Sequence, residues 1–189
     1  MKDHVIRILL IMLTFTTAGC AVTERYDQYL GKVVDAETKQ PLEGAAVVVV
    51  YNTQHWGLAG SVTYYADAQE TVTDKNGEFR IPSIRLYTLQ ILSGWEQHPR
   101  VTILKPGYGC YPTHKYAAPK FEYGSLPPNQ YVTIELPKLI TKEERLQNYG
   151  CYPSESVPEV KYEKLFHLIQ QEREDIGLDP SRSPQRSAK

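Results

Sequence analysis

The residues best equipped for chemistry are the three cysteines, Cys20, Cys110 and Cys151. A thiolate can take up an acyl or alkyl group, bind a metal, or pair with a second thiol. The histidines stand at positions 4, 55, 98, 114 and 167 and do not pair at metal-ligand spacing. There is no His-x-x-x-His, no Cys-x-x-Cys and no Glu-rich loop. Asp74-Lys75-Asn76-Gly77 begins like a calcium loop. Its glycine comes fourth rather than sixth and no Glu stands twelfth, so a turn is expected there instead. No Gly-x-Ser-x-Gly elbow presents a nucleophilic serine. The sequence therefore gives no catalytic residue, no metal site and no cofactor.

The surroundings of Cys20 set the compartment. Lys2 and Arg7 precede and open an apolar stretch from Ile8 to Phe15, and Thr16-Thr17-Ala18-Gly19 leads into Cys20. The stretch is too short to span a bilayer, which takes about 20 residues. Residues 1–19 read as a secretory signal. Thr17-Ala18-Gly19-Cys20 resembles the lipobox of bacterial lipoproteins, with Thr17 in place of the usual Leu. The resemblance implies that the Cys20 thiol receives diacylglycerol, that the signal is cut before it, and that the new amine is acylated, as by palmitate. The alternative is an ordinary signal cut nearby, with Cys20 incidental. Each buried methylene contributes about 0.8 kcal/mol, so several chains on one residue give lasting anchorage. Ala21, where retained inner-membrane lipoproteins carry Asp, implies the outer membrane, facing the periplasm. The membrane partner would be reached through the lipid.

Tyr108-Gly109-Cys110-Tyr111-Pro112 recurs as Tyr149-Gly150-Cys151-Tyr152-Pro153. With Cys20 lipidated, two thiols remain in an oxidising compartment, and a Cys110–Cys151 disulfide is the expectation. The alternative is two separate buried thiols.

The chain has 189 residues, 21 basic and 22 acidic, for a net charge of −1. That length fits one ordinary domain with appendages. The charge balance gives no basic face for nucleic acid. Residues 20–29 read as a tether. Strands are expected at Gly31–Asp35, Ala45–Tyr51, Glu70–Asp74, Glu78–Pro82, Arg100–Leu104 and Tyr131–Leu136, and in part over 84–92. Val47–Val50 favours a strand because β-branched side chains suit a pleated surface. A strand apolar at every position needs cover on both faces. Asn76-Gly77 is a hairpin signal. Beyond Pro137 the pattern becomes helical. Thr141-Lys-Glu-Glu144 and Ser156-Val-Pro-Glu159 read as capping boxes, and Gly150 as a helix stop. Tyr162, Leu165, Phe166, Ile169 and Ile176 share one helical face. Residues 139–178 thus form a helical extension, and 179–189 a disordered tail.

Residues 30–138 resemble carboxypeptidase regulatory-like domains. The resemblance is carried by Gly31-Lys-Val-Val-Asp35, Pro41-Leu-Glu-Gly-Ala45, Val47-Val48-Val49, Thr73-Asp74-Lys-Asn-Gly77-Glu-Phe79 and Pro106-Gly-Tyr108. It implies a mainly β fold: an Ig-like or prealbumin-like (transthyretin-like) antiparallel β-sandwich of about seven strands. Segments 52–69 and 83–100 are longer than in compact members. The resemblance implies folding residues, not chemistry, so the protein is expected not to be an enzyme.

Segment 51–65 is aromatic and Gly-rich, with Trp56, Tyr64 and Tyr65. Two readings stand. The rings form a platform for a glycan or peptide, or the segment folds over the sheet and covers the valine strand. The Tyr162–Ile176 face likewise either covers the sandwich or binds a partner. The resulting expectation is a non-catalytic, lipid-anchored cell-envelope protein whose sandwich is a scaffold or binding module. Its partner would be an envelope protein or a glycan. The alternative is a glycan- or peptidoglycan-binding lipoprotein using the aromatic segment.

Overall fold

Valines 47–50 are buried from both sides of one strand. The computed structural model, which describes residues 23–57, 60–88, 93–147, 151–153 and 156–179, shows how. In chain order the strands are β1 (Thr23–Tyr26), β2 (Tyr29–Asp35), β3 (Ala46–Gly57), β4 (Gly60–Val72) and β5 (Glu78–Ile81). Then come β6 (Ile84–Tyr87), β7 (Ser93–Trp95), β8 (Arg100–Leu104) and β9 (Tyr131–Leu136). Two α-helices follow, α1 (Lys142–Gln147) and α2 (Glu163–Asp175).

One sheet has the order β5-β2-β9; the other has β4-β3-β7, with β8 also on β3. β1 and β6 form a separate ribbon. All these pairings are antiparallel except β2 with β9, which run parallel from Leu30↔Tyr131 to Asp35↔Leu136. The protein is a mainly β sandwich with a C-terminal helical extension.

Alternation along β3 divides its side chains between two cores. Val47, Val49 and Tyr51 face the other sheet and meet Val33, Phe79, Ile81, Ile103 and Ile134. Ala46, Val48 and Val50 face the opposite way, into a cluster with Leu104, Tyr162, Leu165 and Ile169. Each fully buried Leu or Ile there contributes roughly 1.5–3 kcal/mol. The cover that the valine run demands is therefore α2, not the aromatic segment. Residues 52–57 and 60–69 instead continue the β3–β4 ladder, out to Gly57↔Gly60, with an irregularity at Tyr51/Asn52.

Asn76-Gly77 turns the chain, but not within a hairpin. β4 belongs to one sheet and β5 to the other, so the turn crosses between layers. Four side-chain hydrogen bonds support the crossing. The Thr73 hydroxyl accepts the Ala45 N–H at 2.8 Å and donates to the Leu42 carbonyl at 2.6 Å. The Asp74 carboxylate accepts the N–H groups of Asn76 and Glu78. Gly77 has φ +74°, and a Cβ on it would lie 2.5 Å from the Val33 carbonyl oxygen. Phe79 and Ile81 then point into the core while Glu78 and Arg80 stay exposed.

Asp35 ties another pair of distant segments. Its carboxylate accepts the N–H groups of Glu37 and Thr38 at 2.8 and 2.9 Å, and the Tyr108 hydroxyl also bonds to it. These bonds, the Thr38 N–H foremost, hold the Asp35 carboxyl below its usual range.

Two further expectations are corrected. Residues 23–26, read as tether, pair with β6 because Tyr26 drops into the core, and Tyr29 of the same segment begins β2. The box at Ser156 does not start α2. The chain passes through a short 3-10 turn at Glu159–Lys161, and α2 begins at Glu163. The box at Thr141 does form: Thr141 Oγ1 accepts the Glu144 N–H at 3.2 Å, and Glu144 accepts those of Ile140 and Thr141. The signal 1–19, Gly150 and residues 180–189 lie outside the described residues.

Candidate functional site

Cys20, the residue expected to carry lipid, lies outside the described residues. Cys110 and Cys151 form a disulfide with Cα atoms 6.1 Å apart, as the repeated pentapeptide led one to expect. Both are buried in the cluster under α2. The bridge fastens the stretch between α1 and α2 to the segment after β8.

A polar lock stands beside it. Glu172 of α2, itself buried, accepts the Gly107 N–H at 2.7 Å. It also takes both arms of Arg145 of α1, at 2.7 and 2.6 Å. The Glu172 bonds, and then those of Asp175, raise the Arg145 pKa further above its ordinary value. Three elements meet on one carboxylate: the Pro106-Gly107 turn, α1 and α2. A cavity of about 30 Å³ lies there, lined by Leu104, Arg145, Cys151, Tyr152, Ile169, Glu172, Arg173 and Ile176. Metabolite pockets occupy roughly 300–1,000 Å³, so this one suits water rather than a substrate. The lock was not visible in the sequence, because no local spacing links Gly107, Arg145 and Glu172.

The aromatic residues fall on two faces. Pairing of Asn52 with Tyr65 and of Trp56 with Ser61 puts Trp56 and Tyr65 on the α2 side of the ladder. Thr53 pairs with Tyr64, and His55 with Val62, so Tyr64 and His55 share the other face. There their rings meet edge to face at 4.7 Å. The expected platform of Trp56, Tyr64 and Tyr65 is therefore not one surface, because adjacent residues on a strand point opposite ways. Trp56 lies across Gly94 of β7, where a Cβ would collide with its ring, and remains 60% exposed. Tyr65 packs half-buried toward α2, and burial pushes its hydroxyl up to about 12. Tyr64 is 49% exposed.

Among the described residues no three His, Cys, Asp or Glu side chains cluster to hold a metal. His114 is held below its ordinary pKa, by burial and then by Lys120 and Lys115. No carboxylate hydrogen bond to it is found in the described structure, its ring nitrogen accepting the Tyr116 N–H. Among the described residues no helix is long and apolar enough to cross a membrane.

No family model matches the chain, and no curated protein does. Among solved structures, a 9R-lipoxygenase from Cyanothece PCC8801 is similar at 15% identity and a TM-score of 0.23, over 44% of this chain and 11% of that one. The chain thus spans about a tenth of that enzyme's length, and a likeness of this size carries no argument about fold or activity.

Proposed function

We propose that the chain is a non-catalytic, lipid-anchored protein of the cell envelope whose sandwich serves as a scaffold or binding module. The observation that carries this reading is how the three cysteines divide. Cys110 and Cys151 pair, as thiols do in oxidising compartments. Cys20 is left over, behind an apolar leader and at the end of a lipobox-like Thr-Ala-Gly-Cys. The carboxypeptidase regulatory-like character of the sandwich belongs to the same reading. It is supported by the contacts of Thr73, Asp74, Gly77 and Phe79, which give these four residues of the motif a folding task. The outer membrane, facing the periplasm, is the location that Ala21 favours.

The test is metabolic labelling with tagged palmitate. The native chain takes label and the Cys20→Ser variant takes none; a variant that still labels would refute the anchor.

A second reading, glycan or peptidoglycan binding, is favoured by the exposed Trp56 ring on its Gly94 bed. It would use Trp56 on one face or Tyr64 on the other. Cell-wall polysaccharide should retain the native protein and lose the Trp56→Ala or Tyr64→Ala variant; equal retention of both variants would end this reading.

A further inference from the structure

The β1–β6 ribbon carries a surface that the sandwich does not use. Its inner face buries Tyr26 and Leu86 in the core. Its outer face holds Thr23 opposite Tyr87 and Arg25 opposite Arg85, all exposed. Two arginines directly across a ladder repel each other, and like charges so placed destabilise a sheet. Arg25 has a weak, solvent-exposed pairing with Asp27 at 3.9 Å. Arg85 has no acidic partner among the described residues. Tyr87 is 69% exposed. A flat pair of guanidinium groups beside an exposed tyrosine suits an anion with an apolar border. Guanidinium groups grip phosphate oxygens in two-pronged fashion, and tyrosine settles where water meets hydrocarbon.

Chain length says where that anion lies. Only Ala21 and Val22 separate Cys20 from Thr23, the first residue of β1. Three Cα steps reach at most about 11 Å. A lipid on Cys20 would therefore bring the Thr23 end of the ribbon to the bilayer surface, with no long tether to let the body turn away.

We propose that the Arg25–Arg85–Tyr87 face lies against the bilayer and binds the phosphates of anionic phospholipid headgroups. This rests on the lipid anchor proposed above and adds to it a fixed orientation. The net charge of the chain hides the feature, because it sums both signs over the whole sequence.

The acylated protein, reconstituted in phosphatidylcholine vesicles with or without phosphatidylglycerol, gives the test. Phenylglyoxal labelling of Arg25 and Arg85, and nitration of Tyr87, are read by peptide mass spectrometry against the detergent-solubilised protein. In vesicles with phosphatidylglycerol all three reactions fall, each arginine by about fivefold, the factor that ~1 kcal/mol per basic residue at an anionic surface corresponds to. High salt restores arginine labelling. The Arg25→Ser/Arg85→Ser variant floats with the vesicles but loses the phosphatidylglycerol-dependent protection of Tyr87. Protein that floats with the vesicles while Arg25, Arg85 and Tyr87 react as in detergent would overturn the orientation and leave the anchor standing. Protein that does not float at all would overturn both.

Discussion

The Glu70 carboxylate of β4 accepts the Leu165 N–H in the first turn of α2, at 2.7 Å, across 95 positions of sequence. Its second oxygen takes the Lys164 N–H at 3.0 Å. The helix has no side-chain cap of its own at Tyr162, so the sheet supplies one. A carboxylate also suits the positive end of a helix dipole. Glu70→Ala should cost about 1–2 kcal/mol of stability. Glu70→Gln, which keeps one acceptor, should cost less. Urea midpoints of the two variants check the order.

The bridge between Cys110 and Cys151 closes a separation of 41 residues. Constraining a loop of that size contributes about 4 kcal/mol in the chain-entropy model. Paired Cys110→Ser and Cys151→Ser substitutions should lower stability by up to that amount. Amide exchange should rise most in α1 and α2, because the bridge ties the chain between them to the sandwich. Uniform acceleration across all strands would mean that the bridge holds the whole body rather than the extension.

Gly77→Ala should destabilise by at least about 2 kcal/mol, since it puts a side chain at positive φ and against the Val33 carbonyl. The cost should appear in thermal unfolding. Asp74→Ala, which removes two hydrogen bonds at the same crossing, should act in the same direction.

Acid and alkali should act on different residues. The Asp35 carboxyl is depressed below its usual 3.8, so its contribution is present above that pH and fades as pH falls through the folded value. Asp35→Asn should flatten the fall of the melting temperature in that range. Burial raises the hydroxyls of Tyr26 and Tyr51, and carries Tyr29 from 10.0 up to about 12. Their contribution is present below pH 10 and is lost progressively as pH rises above it, for Tyr29 by about 12. Absorbance of phenolate at alkaline pH should therefore rise for these residues together with loss of the near-ultraviolet circular dichroism signal. Tyr29→Phe should shift that transition upward.

The legible parts of this fold were those fixed by neighbours in sequence. The valines of β3, the alternation in β9 and the Thr141–Glu144 box each declare themselves within a few residues. So did the need for something over the valines, though not its identity. What escaped were decisions made across the chain. Asn76-Gly77 has the local form of a hairpin turn, yet the strands it joins pair with others, since β5 finds β2. The cap of α2 comes from β4, and the residues at 23–26 pair with a strand about 60 positions later. In the aromatic segment the glycines at 57 and 60 hide a ladder that β-branched and aromatic residues sustain on either side. Trp56 and Tyr64 were found by residue type, but only the strand pleat tells that they face apart.

The parallel pairing of β2 with β9 sets an order on biosynthesis. The inner strand of that sheet waits for a partner about a hundred residues downstream, from Leu30 to Tyr131. A nascent chain that has not yet emerged past β9 therefore presents a bare strand edge, and edges of that kind invite wrong partners. A truncation before Tyr131 would leave a body unable to seal that edge.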